Sequence, residues 1–458
     1  MKKQHKTIKR RSKKINAGEV IASGGFGCVF RPALKCVDGQ REPGKISKLM
    51  TKKHAYEEFE EIENNRKLLS KIPNYSNYFL VDGFSICEPD ELTKEDLENY
   101  DEKCSALQKD EITVKDINKH LSELGALNMP DGGIDIGDYV SQIQSDNDLV
   151  TLNNSLIDLL VNGIVPMNNS NIYHCDVKDS NVLAKQEMGK FYTRLIDWGL
   201  SAQYKKGDKI PSSMYRRPFQ FNCPFSSIIF SDTFDKMYGQ FLEQHPNPTI
   251  YQIREFTINY IFKWNEIRGS GHLGVINSIM KELFYYNLRE VPEKAKLHMI
   301  EYNITYYYIV KYITNILKKY TKNGKIDLDS YYNNVYIKNI DVWGFVMIYT
   351  VLLDKLADNY ETLTDAQLKI YEKLKHIFII YLFETSTKPI PINSLVDSLK
   401  ELNSLFVPQF KTPKINIDID QYNPNLRPVP VINEPVKDYL QAFGKRGGKH
   451  TKKRRYHK

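Results

Sequence analysis

Hydrophobic and polar positions alternate along residues 45–50, and this pattern predicts a β-strand. Ile46, Lys48 and Met50 share one face of that strand, so Lys48 stands between two apolar neighbours. Residues 53–71 then place apolar side chains three and four positions apart, which is typical of a helix packed along one side. We therefore expect a strand followed directly by a helix early in the chain.

The later sequence shows mainly helical spacing. Two short apolar strands are predicted at residues 182–183 and 194–196. Apolar and tyrosine positions three and four apart predict helices at residues 276–287 and 294–320. A run of 12 mostly apolar residues at 342–353 is too short to cross a bilayer and predicts a buried helix. Strands and helices together predict an α+β fold.

Two sets of polar residues accompany the short strands. His174, Asp176, Lys178 and Asn181 stand at fixed offsets, and Asp197-Trp198-Gly199 follows 16 residues after Asn181. These spacings resemble the catalytic loop of protein kinases, H-x-D-x-K-x-x-N, and their metal-binding D-F-G element, with tryptophan in place of phenylalanine. An ordinary surface loop also has this composition, but the flanking apolar strands favour the kinase interpretation.

The resemblance implies a role for each of these side chains in phosphoryl transfer to an alcohol. Asp176 would orient and deprotonate the hydroxyl, Lys178 would reach the γ-phosphate of ATP, and His174 would brace the loop. Asn181 would bind one Mg²⁺ and Asp197 the other, because carboxylate and amide oxygens suit this hard cation. The cofactors implied are ATP and Mg²⁺.

A glycine-rich segment upstream resembles the loop with which kinases cover the phosphates of ATP. Backbone N–H groups can close over phosphates where side chains are small, and an aromatic tip would fold over the nucleotide. Ala22 stands where the family has its first glycine, and the small residues after it would supply the lost flexibility. A hairpin turn is the alternative. The residues expected at the nucleotide are Ile21, Ala22, Ser23, Gly24, Gly25, Phe26, Gly27, Cys28 and Val29.

The lysine that contacts the α- and β-phosphates in this family is expected on the next strand. Lys48 is favoured, with Lys35 as its rival, and residues 36–44 would then form an enlarged turn. The carboxylate partner should come from the predicted helix. Glu58 is the first choice, because apolar positions continue its stripe at helical spacing, and Glu61 is the second.

A turn-forming sequence follows at residues 127–133. The resemblance makes it the hinge between two lobes, where the main chain, at residues such as Leu127 and Met129, would bind adenine. The Pro-Asp-Gly-Gly sequence within it is also typical of an ordinary turn without a binding role.

Two late motifs extend the resemblance. Asp341-Val342-Trp343 is similar to the D-V-W-S segment that opens the central helix of the larger kinase lobe, where the aspartate accepts hydrogen bonds from the catalytic-loop backbone. Residues 423–428, Asn-Pro-Asn-Leu-Arg-Pro, are similar to the family's late D-P-x-x-R-P turn. The A-P-E motif whose glutamate that arginine normally meets is not visible.

The interval between Asp197 and Asp341 is the main departure from the family. It spans 144 residues, far more than an ordinary activation segment and following helix occupy. An inserted helical subdomain is therefore expected in the larger lobe. Residues 217–225 would stand where the substrate-docking loop normally lies, or would form a surface loop packed on the insertion.

The resemblance implies a bilobal, protein kinase-like fold, with a small β-rich N-lobe and a larger helical C-lobe. The expected divisions are a basic tail at 1–14, the N-lobe at 15–128 with an acidic, solvated insertion at about 86–120, the C-lobe at 129–444 with the helical subdomain at about 231–338, and a second basic tail at 445–458.

Cysteine usage indicates a cellular compartment. No paired metal-ligand spacing, signal peptide or transmembrane run is apparent, so we expect reduced cysteines in an intracellular protein without a membrane span. The six cysteines are Cys28, Cys36, Cys87, Cys104, Cys175 and Cys223.

The positive charge is concentrated at the two ends. Residues 2–14 and 445–458 each carry eight Lys or Arg and no acid. The whole chain has a net charge of +8, so without these 16 positive charges the rest of the chain has a net charge of −8. Such tails would contact nucleic acid or another polyanion by charge, or serve as a nuclear import signal. A solubilising tail without a partner is the alternative.

The whole pattern resembles the divergent eukaryotic-type serine/threonine kinases of large nucleocytoplasmic DNA viruses, over most of residues 15–440. Lys178 favours serine or threonine over tyrosine as acceptor. The resemblance implies a protein substrate, a place in the host cytoplasm or nucleus, and packaging in the virion. Two other hypotheses stay open: a pseudokinase scaffold, and a nucleic-acid-associated structural protein in which the tails act.

A chain of residues 15–444 should lose retention on nucleic acid and keep phosphoryl transfer to a short neutral peptide, because the tails act by charge alone. DNA affinity of the intact chain should fall steeply with salt, since each neutralised phosphate releases condensed counterions. Filter binding across a salt series measures both effects. Unchanged affinity and salt slope in the shortened chain would place the binding site on the acidic core.

Overall fold

The computed structural model describes residues 18–357 and 359–407. Within this part, the chain up to Ile134 and Leu183–Gly199 form one compact unit, while Asp135–Val182 and the chain from Leu200 onwards form a second. The first unit holds a small antiparallel sheet and the second is mostly helical, so the predicted α+β class is confirmed. The motif at residues 423–428 and both basic tails lie outside the described residues.

The sheet of the first unit has five antiparallel strands, which are β1 (Glu19–Ser23), β2 (Gly27–Arg31), β3 (Lys45–Thr51), β4 (Ser85–Cys87) and β5 (Leu124–Pro130). Their order in the sheet is β1-β2-β3-β5-β4. Val29 of β2 pairs with Lys48 of β3. A Cβ atom on Gly27 would lie 2.5 Å from the carbonyl oxygen of Leu49, so β2 approaches β3 this closely only with glycine there.

Helix α1 (Lys52–Leu69) follows β3 directly, as the spacing predicts. It packs on β5, where a Cβ atom on Gly125 would touch Ala55 at 3.0 Å. The unit also contains residues 183–187 of the strand Val182–Glu187 and the whole strand Lys190–Leu195, at the two positions predicted for short strands. Leu195 donates its N–H to the Tyr78 carbonyl at 2.8 Å, which ties the end of the latter strand to the chain before β4.

The region between β4 and β5 covers the sheet with apolar side chains. Tyr100, Leu107 and Ile117 are buried in one cluster with Phe30 and Leu49 of the sheet. Its short helices are Tyr100–Lys103, Ser105–Lys109, Ile117–Lys119 and Leu121–Glu123. The acidic insertion is therefore a structural layer of the first unit.

Asp96 shows where the prediction of a solvated acidic insertion is wrong. Its carboxylate is 1% exposed and accepts hydrogen bonds from Arg41 Nη2, at 2.7 Å to each oxygen, and from the Gly18 N–H at 2.6 Å. A buried carboxylate needs such charged and backbone donors. Most other acids here are exposed, including Glu91 and Glu95.

Four of the six cysteines form disulfides in the first unit. Cys28 of β2 is bonded to Cys104, and Cys36 to Cys87 of β4. The expectation of reduced cysteines is wrong for these four, because folding brings together positions that lie 76 and 51 residues apart in sequence. The remaining two, Cys175 and Cys223, are free and buried.

The second unit is built mainly of helices. Those before residue 174 are Ile136–Gln142 and the continuous series Asp146–Asp158, Leu159–Ile164 and Val165–Asn169. Those at residues 231–338 are Asp232–Gln244, Ile250–Arg268, Leu273–Leu283, Tyr285–Leu288, Glu293–His298, Met299–Thr305, Tyr306–Tyr320, Leu328–Tyr331 and Tyr332–Tyr336. The last are Ile337–Met347, Thr350–Ala357, Asp365–Ile377, Phe378–Phe383 and Ile392–Phe406. The helices predicted at 276–287, 294–320 and 342–353 are thus present.

By length and composition alone, one described helical stretch, Asp146–Asn169, could cross a membrane. This is weak evidence, because a core helix passes the same test. Within the second unit, Asn153 of this stretch donates to the Leu399 carbonyl at 2.7 Å and accepts from the Tyr349 hydroxyl at 2.7 Å. Such polar contacts are those of a helix packed against protein.

Replacing Cys104 by serine should lower the free energy of unfolding of the first unit by about 2–4 kcal/mol, because the link to Cys28 closes a long loop in the unfolded chain. Thermal and denaturant unfolding without reductant measure the loss. With dithiothreitol present, the variant and the wild type should unfold alike. Alkylation of all six cysteines in the untreated, denatured wild type would contradict the disulfides.

Candidate active site

Asp341 anchors the loop of residues 174–181 in the second unit. Its carboxylate is fully buried in Ile337–Met347 and accepts the N–H of His174 at 2.9 Å and of Cys175 at 2.8 Å. Burial raises the pKa of the Asp341 carboxyl, although the nearby His174 and these hydrogen bonds act in the opposite direction. The contact expected from the Asp-Val-Trp motif is therefore present.

The loop backbone adopts an unusual conformation at Cys175, whose φ is +62°. A non-glycine residue in the left-handed region is held there by its surroundings. On one side the Asp176 N–H donates to His174 Nδ1 at 3.3 Å. On the other, a Cβ atom on Gly344 would lie 2.4 Å from the Val177 carbonyl oxygen, so the helix approaches the loop closely. His174 thus braces the loop through its backbone and its ring.

The carboxylate of Asp176 is held by three donors. Oδ2 accepts from Lys178 Nζ at 2.8 Å and from Asn181 Nδ2 at 3.0 Å, and Oδ1 accepts from Asn222 Nδ2 at 2.8 Å. Burial acts to raise the pKa of Asp176, but the hydrogen bonds from Lys178 and Asn222 outweigh it, so the pKa lies below its ordinary value. Asp176 is therefore ionised at neutral pH, the state that a general base needs.

Arg217 and Asn222 contact the loop of residues 174–181, although no sequence motif gave either side chain a role. Arg217 donates from Nη1 to the Cys175 carbonyl at 2.9 Å, and both side chains are buried, at 5% and 2% exposure. The alternative of a surface loop for residues 217–225 is wrong in the exposure it predicts, because most of the segment is buried, but the segment does pack on the region predicted as an insertion. One signal was available in the sequence: two polar residues among aromatic and apolar neighbours need buried partners.

Lys48 and Glu58 form an ion pair in the first unit. Lys48 Nζ lies 2.6 Å from one carboxylate oxygen of Glu58 and 2.8 Å from the other. Lys35, the rival lysine, instead pairs with Asp90 at a more exposed position. Glu61 is partly buried, and its pKa is raised first by burial and then by the charges of Glu58 and Asp197. Lys48 is thus the lysine that meets the α1 carboxylates.

The glycine-rich loop joins β1 to β2 within the same unit. The Gly24 N–H donates to the Gly27 carbonyl at 2.8 Å, and a Cβ atom on Gly24 would lie 3.6 Å from Lys48 Cε. Phe26 at the tip is 59% exposed. Cys28 turns its side chain into the apolar layer, so only its backbone faces the loop side. The loop thus lies beside the lysine expected to hold phosphates.

The predicted hinge begins too early in the sequence. Leu127 lies inside β5, where it pairs with Lys48 on one side and Ile86 on the other, and Met129 pairs with Ile46. Hydrogen bonds to neighbouring strands on both sides keep these residues in a strand, although their local sequence predicts a turn. The turn proper starts at Asp131, whose carboxylate accepts from Arg31 at 2.9 Å. The predicted lobe boundary at residue 128 therefore falls within a strand.

Asp197 follows the strand Lys190–Leu195 on an exposed turn, with φ at +64°. The next residue, Trp198, is buried and packs edge-on against Phe79 at a ring distance of 5.6 Å. The aromatic residue of the Asp-Trp-Gly element thus fixes the turn and leaves the carboxylate outside the apolar core.

The donor chemistry of Asp197 and Asn181 fits Mg²⁺. Among residues 18–357 and 359–407, no three His, Cys, Asp or Glu side chains are grouped as a metal site. Mg²⁺ does not require such a group, because one or two carboxylates, substrate phosphates and water usually complete its shell. In the first unit, Glu58, Glu61 and Asp197 raise the local negative charge beside Lys48. A cation would be stabilised there.

Comparison with known proteins adds no family to this picture. No model of a protein family matches the chain, and no curated protein matches it. The residues themselves therefore carry the functional argument.

Proposed function

We propose that this protein is an ATP- and Mg²⁺-dependent serine/threonine kinase, which transfers the γ-phosphoryl group to a protein hydroxyl. The observation that carries the proposal is the carboxylate of Asp176, ionised and held by Lys178, Asn181 and Asn222. An ionised carboxylate held in one position beside a lysine is able to accept the proton of a hydroxyl during phosphoryl transfer.

Each unit supplies part of the proposed reaction. In the second, Asp176 takes the hydroxyl proton and Lys178 stabilises charge on the transferring phosphoryl group. In the first, Lys48 binds the nucleotide phosphates and Glu58 orients it. Asn181 would hold one Mg²⁺ and Asp197 the other, and bound Mg²⁺ would neutralise charge on the phosphates.

We extend the proposal to the fold of the protein, its likeness to viral kinases and its location. A bilobal kinase-like fold agrees with a sheet-containing unit and a larger helical one. The likeness to protein kinases rests on the motifs at residues 21–29, 174–181, 197–199 and 341–343. The likeness to those of large DNA viruses rests on the predicted insertions in both lobes, the Ile-Ser-Lys-Leu-Met strand at residues 46–50 and the basic Gly-Gly-Lys tail at residues 447–449. Location inside a host cell, packaging in the virion and polyanion contacts of the tails are further parts of the hypothesis.

The direct test compares wild type with Asp176→Asn, incubated with γ-labelled ATP, Mg²⁺ and a general protein acceptor. Wild type should label serine or threonine, and the variant should lose at least about 10²-fold in rate, because its amide cannot accept the proton. Thermal unfolding at an unchanged midpoint would show that the variant is folded. Equal rates in the two proteins would refute Asp176 as the base.

Lys48→Ala should abolish transfer, because the nucleotide phosphates lose their cation and Glu58 loses its partner. Lys35→Ala is the matched control: it removes a lysine that also pairs with a carboxylate in the first unit, and it should leave the rate within about twofold, since exposed ion pairs contribute little. The labelled-ATP assay reads both variants. Activity in Lys48→Ala with loss in Lys35→Ala would reverse the assignment.

A further inference from the structure

Asn222 places its amide nitrogen between two acceptors of the catalytic loop. Nδ2 lies 2.8 Å from Asp176 Oδ1 and 3.2 Å from the Val177 carbonyl oxygen. A flipped amide would set oxygen against oxygen at both contacts, so the chemistry fixes its orientation. The residue is 2% exposed, which keeps water from replacing these bonds.

The two oxygens of Asp176 differ in how many donors they meet. Each carboxylate oxygen offers about two lone-pair sites. Oδ2 accepts from Lys178 and Asn181, whereas Oδ1 accepts from Asn222 alone among the described residues. Oδ1 therefore retains one site, on the oxygen that Asn222 holds.

Helices of the second unit hold the segment that carries Asn222. Three alternate carbonyls of residues 217–221 each accept a hydrogen bond from a residue in or next to a helix. The pairs are Trp264 Nε1 to Arg217 O at 3.2 Å, His272 N to Phe219 O at 2.8 Å, and Trp343 Nε1 to Phe221 O at 3.0 Å. Two of these donors, Trp264 and His272, belong to the region predicted as an insertion.

Close packing at Gly271 supports the same segment. A Cβ atom there would lie 2.3 Å from the Phe219 carbonyl oxygen, and φ is +52°, so the chain before Leu273–Leu283 approaches the segment as only glycine permits. The ring of His272 lies 5.6 Å from that of Phe221. The inserted helices thus reach the catalytic loop through residues 217–222.

We infer that Asn222 is a positioning residue for Asp176, that Asp176 Oδ1 receives the proton of the acceptor hydroxyl, and that the inserted helices hold Asn222 in place. The inference rests on the proposed kinase activity. In the step, the acceptor O–H bond breaks and its proton moves to Oδ1. The hydroxyl oxygen bonds to the γ-phosphorus, while the bond from that phosphorus to ADP breaks.

The test uses three variants of the full chain with γ-labelled ATP, Mg²⁺ and a protein acceptor. Asn222→Leu keeps the volume and loses the donor. Asn222→Ala and Asn222→Ser open the same space and differ by one hydroxyl, which can donate to Asp176 directly or through a water. We expect kcat to fall about 10- to 100-fold in the Leu and Ala variants and to recover severalfold in the Ser variant.

KM for ATP should stay within about twofold in all three variants, because Asn222 touches the base and not the nucleotide. A general structural defect would change kcat and KM together and would not be relieved by serine. The ratio of kcat in Asn222→Ser to kcat in Asn222→Ala tests the role of the hydrogen-bond donor even if both variants are less stable than wild type, since both leave the same cavity.

The outcomes separate this inference from the proposed function. Absence of transfer by wild type would overturn the kinase proposal and the inference with it. Transfer by wild type, with kcat in Asn222→Leu and Asn222→Ala within twofold of it, would overturn only the role of Asn222. Equal kcat in Asn222→Ala and Asn222→Ser would likewise exclude the amide donor as the cause.

Discussion

The buried carboxylate of Asp341 is the constraint on which the second unit's site depends. A carboxylate taken out of water must be hydrogen-bonded, and Asp341 meets this need with the N–H groups of His174 and Cys175. Those two bonds fix the backbone at the point where Cys175 turns into the left-handed region. Asp176 follows immediately, so its position is set by a buried carboxylate that lies 165 residues later in the chain.

A second layer of polar contacts acts on Asp176 itself. Lys178 and Asn181 come from the same loop, whereas Asn222 comes from a segment 46 residues later and held by helices. Loops place functional groups well when a rigid scaffold holds them. In the first unit, Lys48 and Glu58 form a comparable preformed pair on β3 and α1. Each unit thus carries charged groups whose partners are already in place.

The sequence predicted those features that depend on near neighbours or on a fixed motif. The strand bearing Lys48 follows from alternation over six residues, and the choice of Glu58 as its partner follows from the apolar stripe of α1. The contact of Asp341 with His174 was predicted from a family motif, because nothing local joins residues 167 positions apart.

Features decided by distant parts of the chain were missed. The sequence around Asp96 predicts a solvated carboxylate. In the structure Arg41, which lies 55 residues earlier, donates a hydrogen bond to this carboxylate and offsets the free-energy cost of its burial. The two disulfides, Cys28–Cys104 and Cys36–Cys87, join residues that lie 76 and 51 positions apart in sequence. Leu127 was placed in a hinge because Pro-Asp-Gly-Gly follows it, whereas pairing with β3 and β4 extends β5 beyond it. Local composition does not report such pairings.

The position of the label in transferred phosphate tests the central claim most directly. Purified protein is incubated with an acceptor protein and Mg²⁺, in parallel with ATP labelled at the γ- or the α-phosphate. A kinase built on Asp176 attaches only the γ-label, to serine or threonine, as an ester that survives acid and is cleaved by alkali. Labelling from the α-position, or nucleotide binding without transfer to any acceptor, would contradict the account.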